Sequence, residues 1–480
     1  MASRTRLRRS RYNLLTRWMT TRRMVIAGTL TVLLIVGVYG YGVLAGVAKV
    51  FHTDVPSVIG SLIRGESGST IENNQVANDQ RINIALYGYG GPGHDGEFLT
   101  DSIMIISIQP HPSGPPQVAE ISIPRDWYVP MYNAAGDKVD EGRINQAYSD
   151  GMLDGDGGVP AGQTDAGGAM ADAALTHLLG IPIDYFVGLD FTAFQQAVDA
   201  VGGIDIDVPV AFTDDEYPAG ECNSDSTCAF ETVSFAAGEQ HMDGATALEY
   251  ARSRHGDNGQ GTDFARSQRQ QQILTAIKAK VLSIGGIGDL PSLLDALGGN
   301  VDTNMSLDDV EAMYDLVKGV NSAAILHIGL DSTNFLYECN VPTCSADFLY
   351  AYDGSYATVD HFIQNVFAPP VSLGEDPNVG IEDGSGTGDG ASARWAGIFG
   401  ELGWSTQDLG QVPTTSVTEV IDQSGGTETA AAKWFAAYFG VSVTTAPSPS
   451  PGATGSADGV IVILGQDEES AFNHDPGYGS

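Results

Sequence analysis

The amino-acid sequence predicts an α/β fold built on a layered sheet, and two observations carry that reading. Apolar runs of strand length, RINIALYG, SIMIISIQP and AEISIPRDWYV, follow one another from Arg81. Beyond them helical and strand patterns alternate. GGAMADAALTHLLG reads as a helix, YFVGLDF as a strand, FTAFQQAVDAVGG as a glycine-stopped helix and IDIDVPV as a strand. DGATALEYARSR and DFARSQRQQQILTAIKAKVLSI are also helical in period, and weaker signals continue to Phe367.

The flanks differ in kind. Arg4, Arg6, Arg8, Arg9, Arg11, Arg17, Arg22 and Arg23 crowd a basic tail over residues 1–23, followed by an uncharged apolar run over 24–48. At about 1.5 Å per residue that run crosses a ~30 Å hydrocarbon core, and the positive flank predicts a cytoplasmic N-terminus. We therefore expect a single N-terminal transmembrane helix, an irregular stalk over 49–80, and a chain held in the cell membrane with its bulk outside. The rival reading is a cleaved signal peptide, but the run is long for an h-region and no clear A-x-A site follows. Residues 369–390, rich in Gly, Pro and Asp, read as a linker. A small α/β C-terminal domain is expected over 391–470, with helices ASARWAGIFGELGW and TETAAAKWFAAYFG and strands TTSVTEVI and GVIVILG. Within it TTAPSPSPGATGSADG reads as a flexible loop.

The 480-residue chain has a net charge of −37, and every one of its 60 acidic residues lies beyond the apolar run. Such a field excludes nucleic-acid binding by general electrostatics. Cys222/Cys228 and Cys339/Cys344 form two close pairs. Outside the membrane the default is two local disulfides; a zinc site would want C-x-x-C spacing and a reducing compartment.

Against this acidity, nine arginines follow the stalk's start, and six of them lie in three short segments: Arg125 and Arg143, Arg252 and Arg254, Arg266 and Arg269. At about 100° per residue, Asp263, Arg266 and Gln270 share one helix face, continued inward by Ile273, Leu274, Ile277 and Val281. A single buried arginine is usually structural, since burial costs several kcal/mol unless the charge is paired. Several together point to a shared anion, and the planar guanidinium fork suits phosphate. The turn LYGYGGPGHDGEFLTD lacks the Gly-Lys-Ser/Thr of a nucleotide-binding P-loop; alone it reads as an irregular turn. Asp101, opening the next strand, is a candidate ligand for a phosphate-bound Mg²⁺. No G-x-S-x-G or H-E-x-x-H occurs.

Taken together, the TDS of residues 100–102, SIPRDWYV, GRINQAYSDG, IDYFVGLDFTAFQQAVDAVGGIDIDV, DGATALEYARSR and DFARSQRQQQIL resemble the LytR-CpsA-Psr family, in its order, over residues 81–285 and more weakly to Phe367. The last domain looks like the C-terminal LytR-type module often appended to it. The resemblance implies a catalytic domain over 81–368: a three-layer α/β/α sandwich with a central mixed sheet and an apolar lipid pocket. It implies a Mg²⁺-dependent phosphotransferase, with Mn²⁺ as a substitute. The enzyme would move a glycan phosphate from a polyprenyl-pyrophosphate-linked precursor to peptidoglycan, releasing polyprenyl phosphate. Carried over by position, Asp101 would hold the metal, and Arg125, Arg252, Arg254 and Arg266 would grip the pyrophosphate. Asp263 would activate the acceptor hydroxyl. Arg143, where the family usually has lysine, Arg269 and Gln270 would contact substrate, and Asp126 would orient its neighbours. Tyr89 and Gly90 follow Gly88 where the family commonly carries an aspartate, and Leu99 replaces an arginine. The metal shell would then rest on Asp101 with phosphate and water, or on Asp95. A polyprenyl-pyrophosphate hydrolase and a non-catalytic lipid-phosphate-binding wall protein are the alternatives.

Overall fold

The computed structural model describes residue 76 and residues 80–467, apart from 95, 112–113, 134, 155–165, 220–228, 284–299, 333, 339–347, 352–355, 368–377, 389, 424–428 and 445–458. The expected membrane span, Asp95 and both cysteine pairs lie outside these residues. Among the described residues no helix is long and apolar enough to cross a membrane.

Strands β1 (Ile82–Tyr89), β2 (Thr100–Gln109) and β3 (Gln117–Ile123) form an antiparallel meander at the centre of a six-stranded sheet. β6 (Tyr185–Asp190) runs parallel to β1, and β12 (Leu326–Gly329) runs parallel to β3. β11 (Val301–Thr303) closes the far edge antiparallel to β6, so the sheet is mixed, as expected.

Period-two alternation sends side chains to both faces, and both are apolar, as a sheet covered on two sides requires. Ala85, Tyr87, Ile103, Ile105, Ala119 and Ile121 share one cluster with Leu175 and Leu179 of helix α2 (Ala166–Leu179), which lies next to α1 (Gln146–Asp154). On the other face Ile82, Ile84, Ile108 and Val118 pack with Ala312 of α6 (Leu307–Val317). That cover reaches only part of the second face. Where β1 and β2 continue as Leu86, Gly88, Ser102 and Met104, the sheet floors a cavity instead.

The cavity's roof comes from α3 (Phe191–Ala200), α4 (Gly244–Arg252) and α5 (Asp263–Ser283). These helices share a separate core with two antiparallel strand pairs, β7/β10 (Ile204–Val208, Gly238–Met242) and, between them in sequence, β8/β9 (Phe212–Pro218, Phe230–Phe235). Asp190 and Asp243 cap α3 and α4 by accepting from Ala193 N and Thr246 N. Gly244 is required by contact: a Cβ there would lie 2.2 Å from the Gln195 carbonyl oxygen, so only glycine lets α4 begin against α3.

A second sheet, in the order β16 (Ser405–Gln411), β15 (Asn378–Asp383), β19 (Gly459–Leu464), β17 (Glu419–Asp422), β18 (Val443–Thr444), packs with α8 (Ala391–Glu401) and α9 (Ala430–Tyr438). This corrects the expected linker over 369–390. Residues 378–383 form an inner strand whose last five residues are all buried, although NVGIED looks too acidic for a core. The two sheets are not independent bodies. Ile328, Phe362, Trp395 and Phe399 belong to one continuous hydrophobic cluster. Asn334 Nδ2 donates to Glu401 Oε1 at 2.9 Å, and His361 Nε2, on α7 (Ala357–Gln364), lies 2.9 Å from the Tyr438 carbonyl oxygen.

Burial pushes the Glu401 carboxyl up to about 7; the Asn334 bond opposes that rise and the nearby Asp331 carboxylate adds to it. In the unfolded chain the same group ionises near its ordinary 4.5. The folded state therefore holds this proton more tightly, and stability falls as pH rises through the window from 4.5 to about 7. Glu401→Gln is expected to flatten that part of the pH dependence of the melting temperature. Identical profiles for variant and wild type would contradict the assignment.

Candidate active site

β3 ends at Ile123, and Pro124, which has no N–H to donate, stops the ladder. The next residue, Arg125, thus emerges at the carboxyl end of a central strand, where α/β sheets place their ligands. Its Nη1 pairs with Asp101 Oδ1 and its Nε lies 3.3 Å from Asp126 Oδ2. Burial works against its charge, but Asp101 and Asp126 outweigh burial and hold the guanidinium above its ordinary value. Asp126 also draws in Arg143, at the end of β5 (Lys138–Arg143), with its Oδ1 3.3 Å from Arg143 Nε. One carboxylate thus orients two guanidinium groups, the role the sequence assigns to Asp126.

Asp214, 1% exposed on β8, holds the second arginine segment. Its Oδ2 accepts from Ser253 Oγ at 2.6 Å, Arg254 N at 3.0 Å and His255 N at 3.1 Å. Its Oδ1 accepts from Glu216 N at 3.0 Å. Burial favours the neutral acid, but these donors prevail and keep the carboxyl below its ordinary range. Sequence reading missed Asp214: within FTDDEYP it looks like part of a solvated turn, and no local signal marks it as the anchor of residues 253–255. Arg252 ends α4, a favourable place for a cation beside the helix dipole. Its guanidinium lies 4.0 Å from the Phe191 ring centroid and donates to Tyr217 Oη at 3.3 Å.

On α5 the expected stripe faces the cavity: Arg266, Gln270, Ile273 and Leu274 all line it. Ser102 Oγ donates to Gln270 Oε1 at 3.0 Å, joining the helix to the sheet floor. Asp263 opens this helix, but its side chain lies outside the described atoms. Arg269 is the departure. It points away from both cavities described below, and at 2% exposure its fork binds carbonyl oxygens of Tyr250 at 2.8 Å, Gln260 at 2.9 Å and Ser253. Burial lowers its guanidinium to about 10. Its helical position, three residues past Arg266, turns it into the α4–α5 junction, where it fixes the backbone that carries Arg254.

Two spaces meet at this mouth. One is a cavity of about 360 Å³ with an apolar interior that includes Leu86, Met104, Phe194, Leu248, Ile273 and Leu274. The other is a polar groove of about 820 Å³ running past Asp126, Arg143, Ser267, Asp331 and Glu338. Asp101, Ser102, Arg125, Arg254, Arg266 and Gln270 line both and so form a shared rim. Arg252 lines only the apolar cavity, and Arg143 only the groove. An amphiphile with a greasy tail, an anionic junction and a hydrophilic head matches this sequence of surfaces. The Asp101 side chain, 44% exposed, fits Mg²⁺ as one carboxylate beside substrate phosphate, the usual arrangement for that ion. It does not make a preformed cage, since no three His, Cys, Asp or Glu gather as a metal cluster among the described residues.

The two kinds of arginine should separate in solution. Arg269→Lys loses the fork that binds carbonyl oxygens of three residues and is expected to cost ~3 kcal/mol in urea unfolding. Arg252→Lys, with one long hydrogen bond at stake, should cost below ~1 kcal/mol. Equal costs would contradict the placement of Arg269 as structural.

Residues 60–347 match the LytR_cpsA_psr family. Over 282 residues the chain is 28% identical to the polyisoprenyl-teichoic acid–peptidoglycan teichoic acid transferase TagU of Bacillus mycoides (strain KBAB4), covering 59% of this chain and 77% of that protein. It is also 28% identical over 311 residues to the TagV transferase of the same description from Bacillus subtilis (strain 168), covering 63% and 69%. The crystal structure of B. subtilis TagV superposes with a TM-score of 0.44 at 26% identity, covering 60% of this chain and 97% of that one. The family match takes in every segment that builds the rim, from Asp101 to Gln270, and on it the chain is a member of the LytR_cpsA_psr family.

Proposed function

We propose that this protein is a membrane-anchored, extracytoplasmic phosphotransferase acting on cell-wall glycopolymers. It takes a polyprenyl-pyrophosphate-linked glycan and moves the glycan with its proximal phosphate to a peptidoglycan hydroxyl. The single observation behind this reading is the rim of Arg125, Arg254, Arg266, Asp101 and Gln270 shared by an apolar cavity and a polar groove.

The prenyl chain enters the cavity between the sheet and α3–α5, past Phe230, a large apolar side chain left 58% exposed at the entrance. Burying its isoprene units contributes about 25 cal/mol per Å² of apolar surface. The pyrophosphate then lies at the rim. The acceptor hydroxyl oxygen attacks the glycan-side phosphorus, the bond from that phosphorus to the bridging oxygen breaks, and polyprenyl phosphate leaves with the electron pair. Asp263, at the rim end of α5, is the candidate to take the hydroxyl proton. Arg125, Arg252, Arg254 and Arg266 neutralise charge on the departing phosphate, with Arg125 pre-aimed by Asp101 and Asp126. A Mg²⁺ ion at Asp101 would supply further positive charge to the phosphate oxygens. Arg143 and Gln270 complete the contacts along the groove and the rim; the carbonyl-bound Arg269 is not among them.

Given purified chain, a prenyl-pyrophosphate glycan, peptidoglycan and Mg²⁺, the product should be a glycan joined to peptidoglycan through one phosphate. Arg254→Ala is expected to lower the rate by about 100-fold or more, the scale for losing one transition-state charge partner. Unchanged turnover in that variant would refute the assignment, and free glycan phosphate despite abundant acceptor would make the enzyme a hydrolase. Leu274→Trp, which fills the cavity, should weaken binding of long-chain lipid pyrophosphate by about tenfold, the scale of ~1–3 kcal/mol overpacking, while sparing a short-chain analogue. Equal losses for both analogues would remove the cavity from the prenyl path.

A further inference from the structure

Beside the groove, on the side away from the apolar cavity, aromatic rings gather at the surface. Tyr128, on β4 (Tyr128–Tyr132), stacks on Phe348 at 5.1 Å and lies 5.5 Å from Tyr350. Tyr350, in the pair β13/β14 (Leu336–Glu338, Leu349–Ala351), lies 5.9 Å from Tyr337, which is 36% exposed. None of these four rings is buried, whereas Trp127, the neighbour of Tyr128, is fully buried behind them. The backbone fixes their place: Leu349 N donates to Asp126 O at 3.0 Å, and Trp127 pairs with Leu349 in an isolated parallel bridge. Phe348 therefore sits beside the arginine rim, with the Arg143 guanidinium 4.8 Å from its ring centroid. Phe348 and Glu338 line the groove together with Asp331 and Ser332.

We propose that this shelf is the subsite for the uncharged sugar strand of the acceptor, whose pyranose rings stack over Phe348 and Tyr350. The inference rests on the transferase reading and names the occupant of the groove's far half. The C–H face of a pyranose is apolar and slightly positive, and it matches the negative face of an aromatic ring. Sugar hydroxyl groups at the ring edge need acceptors, which Glu338, Asp331 and Ser332 supply. Charge decides between the two substrates. The same two carboxylates repel a phosphate-bearing polymer, so the anionic donor is confined to the arginine end and the neutral strand takes the aromatic end. The hydroxyl to be phosphorylated then approaches from the side opposite the prenyl cavity, the direction an in-line displacement requires.

The probe is a neutral tetramer of N-acetylglucosamine, titrated into the full chain without lipid substrate and followed by NMR and calorimetry. Saturable binding is expected, with shifts centred on the Tyr128, Phe348 and Tyr350 rings. Tyr350→Leu, which keeps apolar bulk but loses the ring face, should weaken binding by about tenfold, equivalent to one stacked sugar; Tyr350→Phe should retain it. No saturable binding by the wild-type chain, or unchanged binding by both Tyr350→Leu and Phe348→Leu, overturns the proposal. Tighter binding of a phosphorylated oligosaccharide at the same rings overturns it as well, by giving the shelf to the donor. Turnover assays on the same samples separate the two claims. A chain that binds the tetramer but never turns over the lipid-linked substrate refutes the transferase, whereas one that transfers without binding the tetramer refutes only the shelf.

Discussion

Gathering guanidinium groups from three distant segments at one rim is the constraint on which the rest of the molecule depends. Like charges repel, and each loses water as it is buried. The chain answers with carboxylates in and behind the rim: Asp101, itself on the rim, and Asp126 hold Arg125, Asp126 reaches across to Arg143, and the buried Asp214 ties down the backbone that carries Arg254. Arg269 serves the same end from within, its fork closed on carbonyl oxygens where α4 meets α5. These supports leave the rim charged and aimed before any ligand arrives, which is the physical content of preorganisation.

The sheet and the roof helices were legible because their signals are strong. β1, β2 and β3 are long apolar runs, and the α5 phase from Arg266 through Leu274 gives the face that lines the cavity. What stayed hidden was weakly patterned. β5 reads KVDEGR and β8 reads FTDDEYP, both polar enough to pass for loops, and both are short strands paired with a single neighbour in a two-stranded ladder. NVGIED became an inner strand because parallel neighbours on both sides cover it, a tertiary effect with no local trace. At the site, Arg125 could be picked out because a cation at a strand end is rare in so acidic a chain. Arg269 resisted because a three-residue step along a helix leaves a side chain only about 60° from the Arg266 face, and sequence spacing does not reveal which side of that face is occupied by a neighbouring backbone.

The second sheet bears on the groove through one side chain. Asn334, 1% exposed, accepts from Asp331 N and Phe335 N, donates to Gly329 O, and also donates to Glu401 of the C-terminal unit. Asp331 and Gly329 line the groove, so its far wall is shaped by contacts that reach into the appended domain. Under the proposed reading the C-terminal unit acts as a buttress for the acceptor side, whatever else it binds.

The half-covered second face of the main sheet has a last consequence. Leu86 and Met104 belong to a surface that α6 seals farther along the same strands, so the hydrophobic interior is left unfinished, and under the proposed reading a guest hydrocarbon would complete it. Occupancy and folding are then thermodynamically linked: a lipid-laden protein resists heat better than a vacant one. On the same reading, departure of the spent carrier would re-expose that oily wall to water, and a bilayer beside the anchored chain, which could receive the tail without wetting it, would be the natural route of exit.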